Sequence, residues 1–293
     1  MLEILHIRYE ITSDEPLRLH HDVPTITFRG AFGYALAQVI ARYAGITRLG
    51  DQVELYRRIF MPRNDGSRPL RDEDLSRPFV MRGWFSRPDR RSFILDVLLF
   101  GQAAGEERFF DVVMRVMAQM HIGPRHQRCA IEKICSQQLT PDAPEAKDFL
   151  RINFLTPCSR LKSQGEVFRS EIPFYALFAR LADRVDALNV LYGGGEPVMP
   201  RSRLVELKLL AREIPWRTLN GGPFKVTRTS GRTADVIRMD GFVGSMLYAG
   251  EFTPFLDYLQ YLPFINVGRF NVFGCGWCEM DFMDQEPILK GAV

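Results

Sequence analysis

The feature that most limits what this chain can fold into is an order of apolar segments that occurs twice. Residues 2–11, LEILHIRYEI, alternate in part, as a strand with one buried face does. A polar loop follows, from Ser13 to Pro24. From Thr27 to about Tyr43, Phe32, Leu36, Val39 and Ile40 fall at helical spacing, and Gly45 stands where a helix would end. Pro78 to Phe85 and Ser92 to Phe100 read as the two strands of a hairpin. Glu106 to Met120 reads as a helix with Phe109, Val112, Val113, Val116 and Met120 on its apolar face. Gly123-Pro124 breaks it, and Arg128 to Ile134 reads as a last strand. The order is β-α-β-β-α-β.

Residues 137–147, QQLTPDAPEAK, are polar, hold two prolines and show no periodicity, as a linker would. The same order then returns. Phe149 to Leu155 is a strand. Ile172 to Tyr192 is a long helix that Gly193-Gly194-Gly195 ends, and Arg203 to Arg212 forms a short extra one. Phe224 to Thr229 and Gly241 to Tyr248 are strands, Phe252 to Leu262 a short helix, and Trp277 to Phe282 the closing strand. Each half therefore builds a four-stranded antiparallel sheet with two helices on one face. The expected class is α+β, with two tandem ferredoxin-like (RRM-like) domains at 1–140 and 148–293. That architecture hosts many functions and does not choose among them.

Composition removes several classes. The chain is 46% hydrophobic and 25% charged, an ordinary globular mixture. No uncharged run approaches the roughly 20 residues of a membrane-spanning helix, so no membrane partner is expected. MLEILHIRYE lacks the apolar core and cleavage site of a signal peptide, so a cytoplasmic location is expected. Five cysteines, scattered and odd in number, argue against a disulfide framework. Cys275-Gly276-Trp277-Cys278 has metal-ligand spacing, but no second pair completes a zinc site, so no metal is expected. These cysteines read as small residues closing a glycine loop.

Net charge is only +3, yet the cations are 32 Arg against 6 Lys. Arginine grips phosphate with a planar fork and stacks on bases, although a GC-rich genome produces the same bias. Arg201 to Arg238 carries nine cations against three acids, and Arg57 to Arg91 ten against five. Trp84, Phe85, Trp216 and Phe224 are interleaved with them, which suits single-stranded RNA as well as a plain solvated surface. The densest glycine cluster is Asn266-Val267-Gly268-Arg269-Phe270-Asn271-Val272-Phe273-Gly274-Cys275-Gly276. Its backbone N–H groups could approach a phosphate closely, with Arg269 supplying charge. It is not a Walker loop, because no Gly-Lys-Ser/Thr follows. Of the five histidines, His20 and His21 lie in the polar loop just before Arg29-Gly30, where a paired imidazole suits acid–base work. His6 sits mid-strand, and His121 and His126 flank a turn.

Five segments, in order, resemble the CRISPR precursor-RNA-processing endoribonucleases of the RAMP superfamily. They are Phe28-Arg29-Gly30-Ala31-Phe32-Gly33-Tyr34-Ala35-Leu36 at the first helix and Asp96-Val97-Leu98-Leu99-Phe100-Gly101-Gln102-Ala103 at a strand end. Phe154-Leu155-Thr156-Pro157 with Leu161-Lys162 opens the second domain. Arg228-Thr229-Ser230-Gly231-Arg232 precedes Asp240-Gly241-Phe242-Val243-Gly244, and the glycine-rich loop follows. The resemblance implies a basic surface for CRISPR repeat RNA, that is precursor crRNA, with effector-complex subunits as further partners. It implies cleavage without metal or cofactor: a ribose 2′-hydroxyl attacks the adjacent phosphate, leaving a 2′,3′-cyclic phosphate and a 5′-hydroxyl. The family's catalytic His lies near the first helix, but Gly30 to Tyr43 contains none. His21 and His20 are therefore the expected catalytic residues, with Tyr34 as helper. Arg29, Arg228, Arg232, Gly268, Arg269, Gly274 and Gly276 are the expected RNA contacts. A non-cleaving RNA-binding RAMP subunit is the alternative.

Overall fold

A computed structural model describes residues 2–43, 57, 62, 76–123, 127–159, 161–163, 166–168, 170–229 and 235–287. The chain divides into two compact units: Met1–Thr140 with Leu188–Glu196, and Pro141–Ala187 with Pro197–Val293.

The first unit runs β1 (Ile4–Thr12), α1 (Thr25–Tyr43), β2 (Phe79–Phe85), β3 (Ser92–Phe100), a 3-10 turn (Gly101–Glu106) into α2 (Glu107–Gln119), and β4 (Ala130–Leu139). Its strands pair antiparallel in the order β2-β3-β1-β4, which is the ferredoxin-like order. Alternation in β1 sends Leu5, Ile7, Tyr9 and Ile11 into the core and leaves His6, Arg8 and Glu10 on the other face. Phe32 of α1 stacks on Phe110 of α2 at 4.6 Å and meets Phe79 of β2 at 5.9 Å.

Two expectations are corrected here. The buried face of α2 is Phe109, Phe110, Val113, Met114 and Met117, while Val112, Val116 and Met120 are only half-buried. Phe110 sets this rotation, because its ring packs against both Phe32 and Tyr9. Strand β4 also runs on to Leu139, into the segment expected to be linker. Its polar residues suit an edge strand, and the ladder to β1 satisfies its backbone. Gly45, His126 and most of the arginine-rich stretch between residues 57 and 75 lie outside the described residues.

The second unit runs β5 (Phe149–Ser159), a small hairpin of β6 (Leu161–Ser163) and β7 (Glu166–Phe168), α3 (Phe174–Tyr192), α4 (Arg201–Leu210) and β8 (Trp216–Phe224). A two-stranded ribbon of β9 (Thr227–Thr229) and β10 (Val236–Arg238) follows, then β11 (Gly241–Ala249). A 3-10 turn (Thr253–Phe255), α5 (Leu256–Leu259), α6 (Leu262–Ile265), a second 3-10 turn (Asn271–Phe273) and β12 (Cys278–Met283) complete it. The sheet order β12-β5-β11-β8 repeats the first unit's pattern, so the fold is two tandem ferredoxin-like units. Phe174 anchors this core against Phe178, Tyr248, Phe252 and Phe255, with centroids 5.1–6.0 Å apart.

The strand expected at Phe224 to Thr229 is displaced. Trp216–Phe224 is the sheet strand, and Thr227–Thr229 belongs to the ribbon. Asn220-Gly221-Gly222-Pro223 hides the strand from any alternation argument, yet an edge position tolerates it. The helix expected at Phe252 to Leu262 is split into short turns, with Pro254 and Pro263 each unable to donate an N–H. Among the described residues, no helix is long and apolar enough to cross a membrane.

On the open face of the first sheet, Arg8 donates from Nε and a terminal nitrogen to both oxygens of buried Asp96, at 2.7 and 2.9 Å. His6 Nε2 lies 3.0 Å from the same carboxylate. Burial alone would raise the Asp96 pKa; the Arg8 hydrogen bonds and the His6 contact outweigh it and hold it below the ordinary 3.8. A carboxylate depressed in the folded state adds stability above its unfolded pKa, and that stability is lost as pH falls through the folded value. Melting temperature should therefore drop as pH falls below about 3.8. Arg8→Met should destabilise the protein by about 1–3 kcal/mol at neutral pH and flatten that acid limb, read by thermal unfolding across pH.

Candidate nucleic-acid interface

The last residues of β5 lose their pairing with β12 and hold the glycine loop on that side instead. Strand β12 pairs with β5 only as far as Cys278 opposite Phe154. The β5–β11 register slips there, from Phe154 opposite Gly244 to Cys158 opposite Phe242, a bulge that turns Leu155, Thr156 and Pro157 away from regular pairing. Thr156 Oγ1 donates to Gly274 O at 2.7 Å and accepts from the Trp277 N–H at 2.9 Å. Gly276 N–H donates to Pro157 O at 3.0 Å, and Arg269 N–H to Ser159 O at 2.8 Å. Cys158 Sγ donates to Val267 O at 3.5 Å. Fully buried Ser159 also donates its hydroxyl to Met239 O, at the base of the β9–β10 ribbon. One strand end thus fixes both the glycine loop and the ribbon.

Two glycines are required by this contact. Gly268 has φ 96°, and a Cβ there would lie 2.6 Å from Ser159 O. Gly276 has φ 74°, and its Cβ would lie 1.7 Å from Val267 O. The N–H groups of Gly274 and Gly276 are engaged internally, with Asn271 O and Pro157 O. The phosphate cradle expected of those two N–H groups is therefore not available; their role is to let the loop close. Cys275 and Cys278 are buried, and burial pushes the Cys275 thiol up to about 12. They pack as small side chains beside Cys158, whose pKa burial also raises.

The cations stand on this frame. Arg228 of β9 is half-buried, with Cζ 4.3 Å from the Phe273 ring centroid. Burial pushes its pKa down, and its Nε has no hydrogen-bond partner among the described residues. Arg269 Cζ lies 5.2 Å from the Phe270 ring. Arg228, Gly268, Arg269, Gly274 and Gly276 thus come together on the second unit, while Arg232 lies outside the described residues.

The remaining expected residues are in the first unit. The loop before α1 folds back on the helix, His20 N–H donating to Thr27 Oγ1 at 2.9 Å and Val23 N–H to His20 Nδ1 at 3.3 Å. The His20 and His21 rings stack at 5.3 Å and 18°. The His21 side chain is 82% exposed, with Nε2 3.0 Å from Asp22 Oδ1. His20, His21 and Asp22 are, among the described residues, the one group whose ligand atoms are near enough to share a metal ion. Arg29 lies along α1, with Cζ 5.6 Å from the Phe79 ring. Tyr34 is exposed on α1, nine residues beyond Thr25, about 14 Å along the helix at 1.5 Å per residue.

Sequence reasoning missed Thr156, Ser159, Phe270 and Phe273. Thr156 stood inside a segment noted only for resemblance, and the two Phe were hidden among the glycines. Nothing in the sequence marked Ser159.

The two units and the glycine loop sutured to β5 define a tandem ferredoxin-like protein. Residues 152–278 match the family model of the CRISPR-associated endoribonuclease Cas6, and residues 2–147 match a family model described as an N-terminal domain. The second domain is thus similar to the Cas6 family of CRISPR-associated endoribonucleases. Among solved structures, the fold is shared with a Cas6 product complex at 14% identity and TM-score 0.57, covering 95% of this chain and 98% of that one. Thermus thermophilus Cas6 shares it at 13% identity and TM-score 0.52, covering 96% and 98%. No curated protein matches in sequence.

Gly276→Ala should destabilise the protein by about 3 kcal/mol or more in urea unfolding, from the positive φ and the clash with Val267 together. Gly194→Ala, whose added Cβ meets nothing within 4 Å, should be near neutral in the same measurement.

Proposed function

We propose that this chain binds CRISPR repeat RNA across the glycine loop and the β9–β10 ribbon, and cuts it by metal-independent transesterification. The observation that carries the binding half is Arg228. A half-buried guanidinium, stacked on Phe273 and with no counter-ion among the described residues, is a positive charge open to an anion. An RNA phosphate supplies one, as a charge-assisted contact.

In the chemical step, a base takes the 2′-hydroxyl proton, the 2′-oxygen forms a bond to phosphorus, and the bond to the 5′-oxygen breaks as an acid protonates it. The products are a 2′,3′-cyclic phosphate and a 5′-hydroxyl. His20 and His21 are suited to the two roles because, although both carry the proton on Nε2, their partners engage opposite ring nitrogens, Nδ1 in His20 and Nε2 in His21. Val23 N–H at Nδ1 makes that nitrogen the acceptor in His20 and leaves the proton on Nε2. Asp22 beside Nε2 holds the His21 proton there and leaves Nδ1 as a bare acceptor.

Single-turnover cleavage of repeat RNA should proceed in EDTA and end in a cyclic phosphate. Ala at both His20 and His21 should slow it by at least about 10²-fold while leaving affinity nearly intact. Cleavage by the double variant at the wild-type rate would remove these residues from the mechanism. A wild type that binds the repeat and never cuts it would leave the non-cleaving RNA-binding reading. Arg228→Ala and Arg269→Ala should each weaken binding and lower the salt slope by about one unit; an unchanged slope would exclude a phosphate contact.

A further inference from the structure

Phe270 occupies φ 66° and ψ 24°, the left-handed region, where a bulky side chain is an outlier and glycine fits without strain. The surrounding loop is rich in glycine, yet this position keeps a ring. The ring is only half-buried. Its recorded neighbours are the Arg269 guanidinium at 5.2 Å and the Phe273 ring at 6.5 Å and 69°. Phe273 in turn carries Arg228 at 4.3 Å. The result is a row of two rings with a cation at either end: Arg228, Phe273, Phe270, Arg269. The row is held still, because the flanking backbone is tied to Ser159 O and Pro157 O.

Backbone strain kept at a position that contributes little to the core points to a use for the side chain. Phosphate recognition alone needs the arginines and no ring. An apolar peptide would cover the rings and bring no counter-charge to Arg228. A planar π-system carried on an anionic backbone satisfies both parts of the row at once.

We propose that Phe270 is a base-stacking platform. An unpaired base of the bound RNA lies on its ring, while Arg269 and Arg228 neutralise the phosphates on either side. The inference rests on the RNA-binding reading of the loop, and adds to it a contact with a base rather than with the backbone.

The test is affinity for repeat RNA, intact and with an abasic nucleotide placed at each position in turn. Phe270→Leu keeps an apolar side chain and loses the aromatic face. It should weaken binding roughly five- to hundredfold, without changing the salt slope, because no phosphate contact is lost. Phe270→Tyr should restore affinity. The deficit of Phe270→Leu should vanish on the RNA that lacks the stacked base and persist on the others. Phe270→Gly and Phe270→Ala should bind equally weakly, with the Gly variant melting higher because it tolerates the left-handed conformation. Phe270→Leu binding as tightly as wild type, or showing the same deficit on every abasic RNA, would overturn the platform while leaving phosphate binding by the loop intact. Wild-type protein that does not hold the repeat would overturn the RNA reading of the whole surface.

Discussion

The hydrogen bonds between the end of β5 and the glycine loop are the constraint on which the second unit's candidate surface depends. Past Phe154, β12 no longer pairs with β5, and the loop from Val267 to Gly276 takes its place. Thr156, Pro157, Cys158 and Ser159 each contribute a contact, and Ser159 reaches the ribbon as well. Each bond is modest by itself, about 0.5–1.5 kcal/mol net. Acting together on one short loop they leave it few alternative conformations. The left-handed residues Gly268, Phe270, Gly274 and Gly276 follow from that closure.

Rigidity matters because Arg228 has no counter-ion among the described residues. An arginine in bulk water needs no fixed partner. Arg228 is half-buried, its pKa is lowered by burial, and it rests on an aromatic face instead of a carboxylate. Such a group is held by its surroundings at some cost in solvation. An anionic ligand that meets it recovers that cost and gives up little side-chain freedom. The first unit uses its charges differently. There Arg8, His6 and Asp96 neutralise one another on the sheet face, as a structural network does.

Much of this was legible in the sequence, for identifiable reasons. β1 and β3 announced themselves through apolar runs and alternation, and the glycine loop through its density. The tandem ferredoxin-like order followed from those elements. β8 was missed because an exposed edge strand need not alternate, and Asn220-Gly221-Gly222-Pro223 looks like a turn. The face of α2 was misjudged by about one residue, since Phe110 is placed by contacts from Phe32 and Tyr9 that lie far away in sequence. Within the site, Arg228 and Arg269 were found as cations near glycines. Ser159 was invisible, because a buried serine acquires meaning only from the carbonyl it meets. The expected role of the Gly274 and Gly276 N–H groups failed for a related reason: sequence shows where backbone can approach a ligand, but not whether its donors are already engaged.

Amide hydrogen exchange in the free protein tests the central claim most directly. If the end of β5 holds the loop closed, the Arg269 and Gly276 amides, which donate to Ser159 O and Pro157 O, should be protected to the same degree as the ladder amides of β5. Ser159→Ala, which removes the hydroxyl bond to Met239 O and keeps the carbonyl, should loosen the Arg228 ribbon. Arg269 and Gly276 amides that exchange as fast as exposed chain, while β5 itself stays protected, would contradict the account.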